Sequence, residues 1–193
     1  MGLDTVELVV NIEKHFGLEI PDPVCEQLST VGDVAKWLGQ QLGIANLRHS
    51  SVREKVAVQL QQLFSSRSVG EETQLLELIK DHESQLTYHR LFAETSGLKL
   101  PTLDVPKVEP PSSWLSRLFD TKLFASGINP LNRTVADLID WTVALNYKHL
   151  LLPPFQSQYD VEQAVIGITS DSSGVEVSDV MLRSSFTNDL GLD

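Results

Sequence analysis

The sequence predicts an all-α fold of two up-and-down helical bundles, and three observations carry that prediction. Apolar residues recur at helical spacing, as in Leu3, Val6, Val9, Val10 and Ile12, and the runs end at glycine or proline. No segment alternates apolar and polar residues over the length of a strand. The chain also repeats itself. Phe16-Gly17-Leu18-Glu19-Ile20-Pro21 returns as Ser96-Gly97-Leu98-Lys99-Leu100-Pro101, and Thr30-Val31-Gly32-Asp33-Val34-Ala35-Lys36-Trp37 as Thr134-Val135-Ala136-Asp137-Leu138-Ile139-Asp140-Trp141. Two motifs in one order mark two copies of one unit.

A first helix is expected over 3–16, because Gly17 is a natural stop after Phe16. Leu18 to Pro23 reads as a loop, since two prolines forbid a helix running across it. Ser29 or Thr30 can cap the next helix, 30–42, with Val31, Val34, Ala35 and Leu38 on its buried face and Trp37 alongside. The second copy, 44–157, opens with a helix at Val52–Val58 that parallels Val161–Gly167. A long loop follows, then a middle helix ending before Gly97, and a last helix from Thr134. In this copy the turn and the last helix lie 24 residues further apart than in the first. The extra length, within 101–133, carries Pro106, Pro110 and Pro111 and a short helix expected at Ser112–Phe119 around Trp114. A linker, Leu152–Ser157, leads to a helix over 158–168 that buries Val161, Val165, Ile166 and Ile168, and a polar loop, 170–187, follows. The first unit is therefore split: 1–43 plus 158–193.

The 193 residues, 41% hydrophobic and 21% charged, suffice for one or two ordinary cores. No apolar run exceeds three residues, and the triple-leucine run Leu150-Leu151-Leu152 stops at Pro153-Pro154, far short of a membrane span. The first residues lack a secretory leader's basic and apolar regions, and Val6 stands where a myristoylation motif needs Ser or Thr. A lone Cys25 fits a reducing compartment, so cytoplasmic residence is expected. Charge is unevenly placed. Seven acids in 1–43 stand against Lys14 and Lys36, and seven in 158–193 against Arg183, so the ends carry the whole net charge of −11 and 44–157 is neutral. An acidic surface is repelled by nucleic acid and drawn to basic patches on proteins. His15, His49, His82, His89 and His149 show no metal-ligand spacing with one another or with Cys25, and no nucleophile or Gly-rich loop accompanies His82-Glu83. Neither a metal site nor catalysis is expected.

Read tail to head, Phe186-Thr187-Asn188-Asp189-Leu190-Gly191-Leu192-Asp193 followed by Met1-Gly2-Leu3-Asp4-Thr5-Val6-Glu7-Leu8-Val9 resembles the core signature of the acyl carrier protein family. There the order is Asp-Leu-Gly-x-Asp-Ser-Leu-Asp-x-Val-Glu-Leu, and the Ser carries 4′-phosphopantetheine. The turn Glu19-Ile20-Pro21-Asp22 and Thr30-Val31-Gly32-Asp33-Val34 also stand at family spacing. The resemblance covers 158–193 plus 1–43 strongly and 50–150 weakly. It implies a small bundle whose second helix starts just after the modified Ser, where the helix dipole favours a phosphodiester. It assigns Leu3, Leu8, Ile12, Ile20, Val31, Val34 and Phe186 to the core and acyl pocket. Asp193, Asp4, Glu7 and Glu13, with Val6 and Val10 among them, become the face that docks basic patches on acyl-transfer or synthase-type enzymes. Such rim charges steer association and weaken as salt rises.

The sequence departs from the family at the attachment slot. Fifteen residues before Gly17 stands Gly2, and fifteen before Gly97 stands His82. Neither has a hydroxyl, while Thr5 and Ser84 lie a few residues past the slots on other helix faces. The expectation is a non-enzymatic, carrier-like docking module with no cofactor on this chain. The alternative is a genuine phosphopantetheine-dependent carrier of fatty-acid or polyketide-type synthesis whose attachment site has been cut. Three arrangements account for the split motif: a circular permutation, a segment-swapped self-association, or one period of a tandem array cut at the Ser.

Overall fold

The computed structural model describes residues 3–64, 69–105 and 132–192, with side chains from Asp4 onward. Gly2, Asp193, the Leu3 side chain, Trp114 and the helix expected at Ser112–Phe119 lie outside the described residues. Nine helices occur among those described, with two isolated β-bridges and no strand: α1 (Leu3–Phe16), α2 (Asp22–Cys25), α3 (Val31–Gln41), α4 (Ser51–Leu63), α5 (Leu75–Leu78), α6 (His82–Ser96), α7 (Val135–Leu145), α8 (Tyr147–Leu150) and α9 (Gln158–Ser173). None is long and apolar enough to cross a membrane.

Helix α1 buries Leu8, Ile12 and Phe16, four residues apart on one face. Each such side chain contributes about 1.5–3 kcal/mol when fully buried. The helix ends where Gly17 turns left-handed at φ +65° and its amide, with that of Leu18, is donated to the Glu13 carbonyl. The Pro21-Asp22-Pro23 stretch, expected to be all loop, instead starts the one-turn helix α2. A proline in a first turn gives up an N–H that would be unsatisfied anyway. Thr30 caps α3 in a reciprocal box: its hydroxyl accepts from the Asp33 amide while the Asp33 carboxylate accepts from the Thr30 amide. Thr134 and Asp137 form the same box on α7.

The corresponding turns also dock alike. The amides of Val31 and Gly32 donate to the carbonyls of Ser184 and Leu182, and those of Val135 and Ala136 to the carbonyls of Thr73 and Glu71. Bridges Thr30–Ser185 and Gln74–Thr134 lie beside these contacts. Helix α9 packs against α1 and α3, as α4 packs against α6 and α7. The segment 158–192 therefore sits on 3–42 of the same chain.

Helix α9 outruns the expected 158–168, ending at Ser173, where Gly174 turns left-handed at φ +72°. Its last turn has little apolar residue to betray it, and is held by Ser173 Oγ donating to the Thr169 carbonyl and by the Asp171 carboxylate pairing with Lys148 at 2.7 Å. α9 is also the centre of the molecule, because its other side packs against α7 and α8. Gly167 lies under Ala144 and Tyr147, and Gly39 of α3 receives the Gln158 side chain, whose amide donates to the Ala35 carbonyl.

Candidate docking face and apolar hollow

The spacing that buries Leu8 and Ile12 turns Asp4, Val6, Glu7 and Val10 outward on α1. Val6 is 43% and Val10 52% exposed, so two apolar side chains stand among two carboxylates on one solvent-facing stripe. Glu13, expected on the same face, behaves differently. It is half-buried, and its Oε1 accepts the Ile20 amide at 2.7 Å, which ties α1 to the following loop. Asp193, also expected here, lies outside the described residues.

Behind this stripe is a small hollow of about 30 Å³, room for about one water. Five of the expected pocket residues line it: Leu8, Ile12, Ile20, Val34 and Phe186. Val31 is fully buried at the start of α3 but is not among the lining residues. Thr5, Val9, Cys25 and Leu28 line it too and were not anticipated. Thr5 and Val9 sit one turn apart beside Leu8 and Ile12, a signal the 3.6-residue period could have given. Cys25 and Leu28 depend on how α2 folds back, which no local pattern announces. The Cys25 thiol contacts the Ile20 carbonyl at 3.5 Å, and burial, with Glu13 and Asp22 nearby, pushes its pKa up. It is a protonated, weakly polar wall residue.

His82, expected as the slot residue of a second copy, is exposed at the first position of α6. The nearby Ser84 hydroxyl is engaged, donating to the Asp81 carbonyl at 2.9 Å inside the capping box. Trp37 is half-buried, and Trp141 is buried with the Arg133 guanidinium 5.3 Å from its ring centre. Among the described residues no group of three or more His, Cys, Asp or Glu side chains is arranged to hold a metal ion. A larger, open groove between α1, α8 and α9 sets Glu7 and Asp171 against Lys14 and Lys148, so its charges cancel and it selects no ligand charge.

The comparisons with known proteins fit this geometry in part. One curated relative, the acyl carrier protein of Phenylobacterium zucineum (strain HLK1), is 49% identical over 42 residues, 22% of this chain and 53% of that protein. The chain thus spans about half the length of that relative. No family model matches, and no solved structure matches. The likeness supports a carrier-type, helical module over part of the chain.

Proposed function

We propose that this chain is a non-enzymatic, acyl-carrier-like docking module. Its first bundle is built from α9, the segment 174–192, α1 and α3, and it engages basic patches on acyl-transfer or synthase-type enzymes through α1. The observation that carries the reading is the exposed stripe Asp4, Val6, Glu7 and Val10 on the side of α1 away from a largely apolar hollow. Apolar anchors ringed by carboxylates suit a partner surface of the opposite charge, with the carboxylates setting orientation and encounter rate. The second bundle, α4 to α7, is read as a degenerate copy bearing an insertion. In both copies the attachment slot holds a residue without a hydroxyl, Gly2 and His82, so the chain docks without carrying a phosphopantetheine arm.

The likeness to an acyl carrier protein is equally compatible with a second reading, that of a genuine carrier charged with 4′-phosphopantetheine. One experiment separates them. The chain is incubated with coenzyme A and a broad-specificity phosphopantetheinyl transferase, and its intact mass is measured. The docking reading expects no covalent gain but a saturable, salt-sensitive complex with the transferase. A mass gain at any residue overturns it in favour of the carrier. Loss of the complex without a mass gain removes both.

A further inference from the structure

The two bundles differ in what fills the space beneath their corresponding helices. Gly17 and Gly97 both close their helices in the left-handed conformation, and both precede an apolar residue and a proline, Ile20-Pro21 and Leu100-Pro101. Matching the two glycines pairs Thr5 with Gln85, Leu8 with Tyr88, Val9 with His89 and Ile12 with Phe92. The four residues from α1 line the hollow of the first bundle. Each partner on α6 is larger.

These larger side chains are held in place. Gln85 is 3% exposed, and its Oε1 accepts the Leu103 amide at 2.7 Å. Tyr88 packs edge-on against Phe64 with ring centres 4.9 Å apart, and Phe64 and Phe92 are each 1% exposed. His89 is half-buried and donates to the Pro101 carbonyl. A hollow walled mainly by Leu, Ile and Val, with Phe186 its one aromatic lining residue, widens when those side chains change rotamer and neighbouring helices slide. A compartment filled by interlocked rings and a buried amide opens only by breaking that hydrogen bond and separating the rings.

We infer that the second bundle is a plugged copy, closed to any apolar chain by Gln85, Tyr88 and Phe92, so that, of the two compartments among the described residues, only that of the first bundle accommodates an apolar ligand. The inference rests on the carrier-like reading for the first bundle's role, while the plug stands on the second bundle's own side chains.

Xenon, a small apolar probe, tests it in the full chain, with methyl NMR shifts recorded under increasing gas pressure. The expected result is a saturable shift of the methyls of Leu8, Ile12, Ile20 and Val34, with those of Leu75, Leu100 and Leu138 unmoved. In Phe92→Ala, shifts appear around Leu100 and Leu138 as well. Tyr88→Leu, which installs the residue of the first bundle, serves if Phe92→Ala does not fold. Saturable shifts around Leu100 and Leu138 in the unmodified chain overturn the inference. So does a folded variant in which the second bundle stays silent. Silence of the first bundle, with the Phe92→Ala response present, removes the ligand site inferred for the hollow and leaves the plug standing.

Discussion

The backbone of Gly167 lies against the ring of Tyr147 with no room for a side chain between them. A Cβ at Gly167 would come within 2.4 Å of the Tyr147 ring and 2.3 Å of the Ala144 carbonyl oxygen. This contact lets α9 approach α7 and α8 while its other side is packed on α1 and α3. In an ordinary helix, Gly→Ala stabilises by about 1 kcal/mol. Here overpacking against backbone costs about 1–3 kcal/mol and outweighs that gain. Gly167→Ala is expected to lower the denaturant midpoint without changing helix content. An unchanged or higher midpoint means that α9 and α7 are not held at this distance.

A second tie across the same helices is polar. The Tyr159 hydroxyl donates to Asp140 Oδ1 at 2.7 Å, and Arg53 reaches the same oxygen through Nε at 3.0 Å while gripping Glu71 with both terminal nitrogens. Burial and the Asp140 carboxylate push the Tyr159 phenol far above its ordinary pKa, so it remains a donor throughout the neutral range. Tyr159→Phe keeps the ring and removes the bond. The expected loss is about 1.5–3 kcal/mol, the range for a hydrogen bond to a charged group, read by equilibrium unfolding. Since Arg53 still neutralises Asp140, a loss well beyond that range would assign the whole network to Tyr159.

The parts legible in the sequence were those with a period or a cap. The spacing of Leu3, Val6, Val9, Val10 and Ile12 announces a helix but not its buried face, which is Leu8, Ile12 and Phe16 while Val6 and Val10 stand outward. Of the two cap candidates, Ser29 and Thr30, it is Thr30 that caps α3, and the repeat places the corresponding start at Thr134. The end of α9 was missed because Thr169 to Ser173 are polar, and its continuation depends on Lys148 and Tyr147 from elsewhere in the chain. Glu13 resembles a docking charge in the sequence because carboxylates on an exposed helix look alike there. Only the folded loop brings the Ile20 amide to it. The Cys25 wall of the hollow was invisible for the same reason: α2 places it, and two prolines suggested no helix there at all.

Acid should weaken the join between α1 and α8 through His15. Its ring lies 5.2 Å from that of Tyr147, 5.3 Å from Phe16 and 5.8 Å from Phe155, with Nε2 buried and without a hydrogen-bond partner. Burial holds its pKa below the usual 6.5, opposed by the hydrogen bond to the Leu151 backbone and reinforced by Lys148. Lys14 and Glu7 on α1 and Asp171 on α9 border the same groove. A histidine depressed in the folded state binds its proton more readily when unfolded. Stability is therefore retained above 6.5 and declines as pH falls from there toward the lower folded value. His89 is lowered in the same direction and adds to the decline. His15→Phe keeps an aromatic ring in the cluster and removes the titration. Its denaturant midpoint should fall less between neutral and mildly acidic pH than that of the parent chain. Parallel pH profiles for the two proteins would exclude His15 as the source.

Glu7 and Glu13 share one helix and should fail in different assays. Glu7 is exposed, and replacing it removes charge from the proposed docking stripe without touching the core. Glu7→Lys, alone or with Asp4→Lys, is expected to slow association with a basic partner such as a phosphopantetheinyl transferase. It should also flatten the salt dependence of that rate and leave the unfolding midpoint within about 0.5 kcal/mol of the parent. Glu13→Ala strips the acceptor from the amide of Ile20, itself 4% exposed, at a cost of about 1–3 kcal/mol in stability. Its association rate at low salt should change less than that of Glu7→Lys, because the Glu13 carboxylate is half-buried and engaged with the loop amide of Ile20. If Glu13→Ala slowed docking as much as Glu7→Lys while leaving stability intact, the Ile20 contact would carry no weight and the docking face would extend the full length of α1.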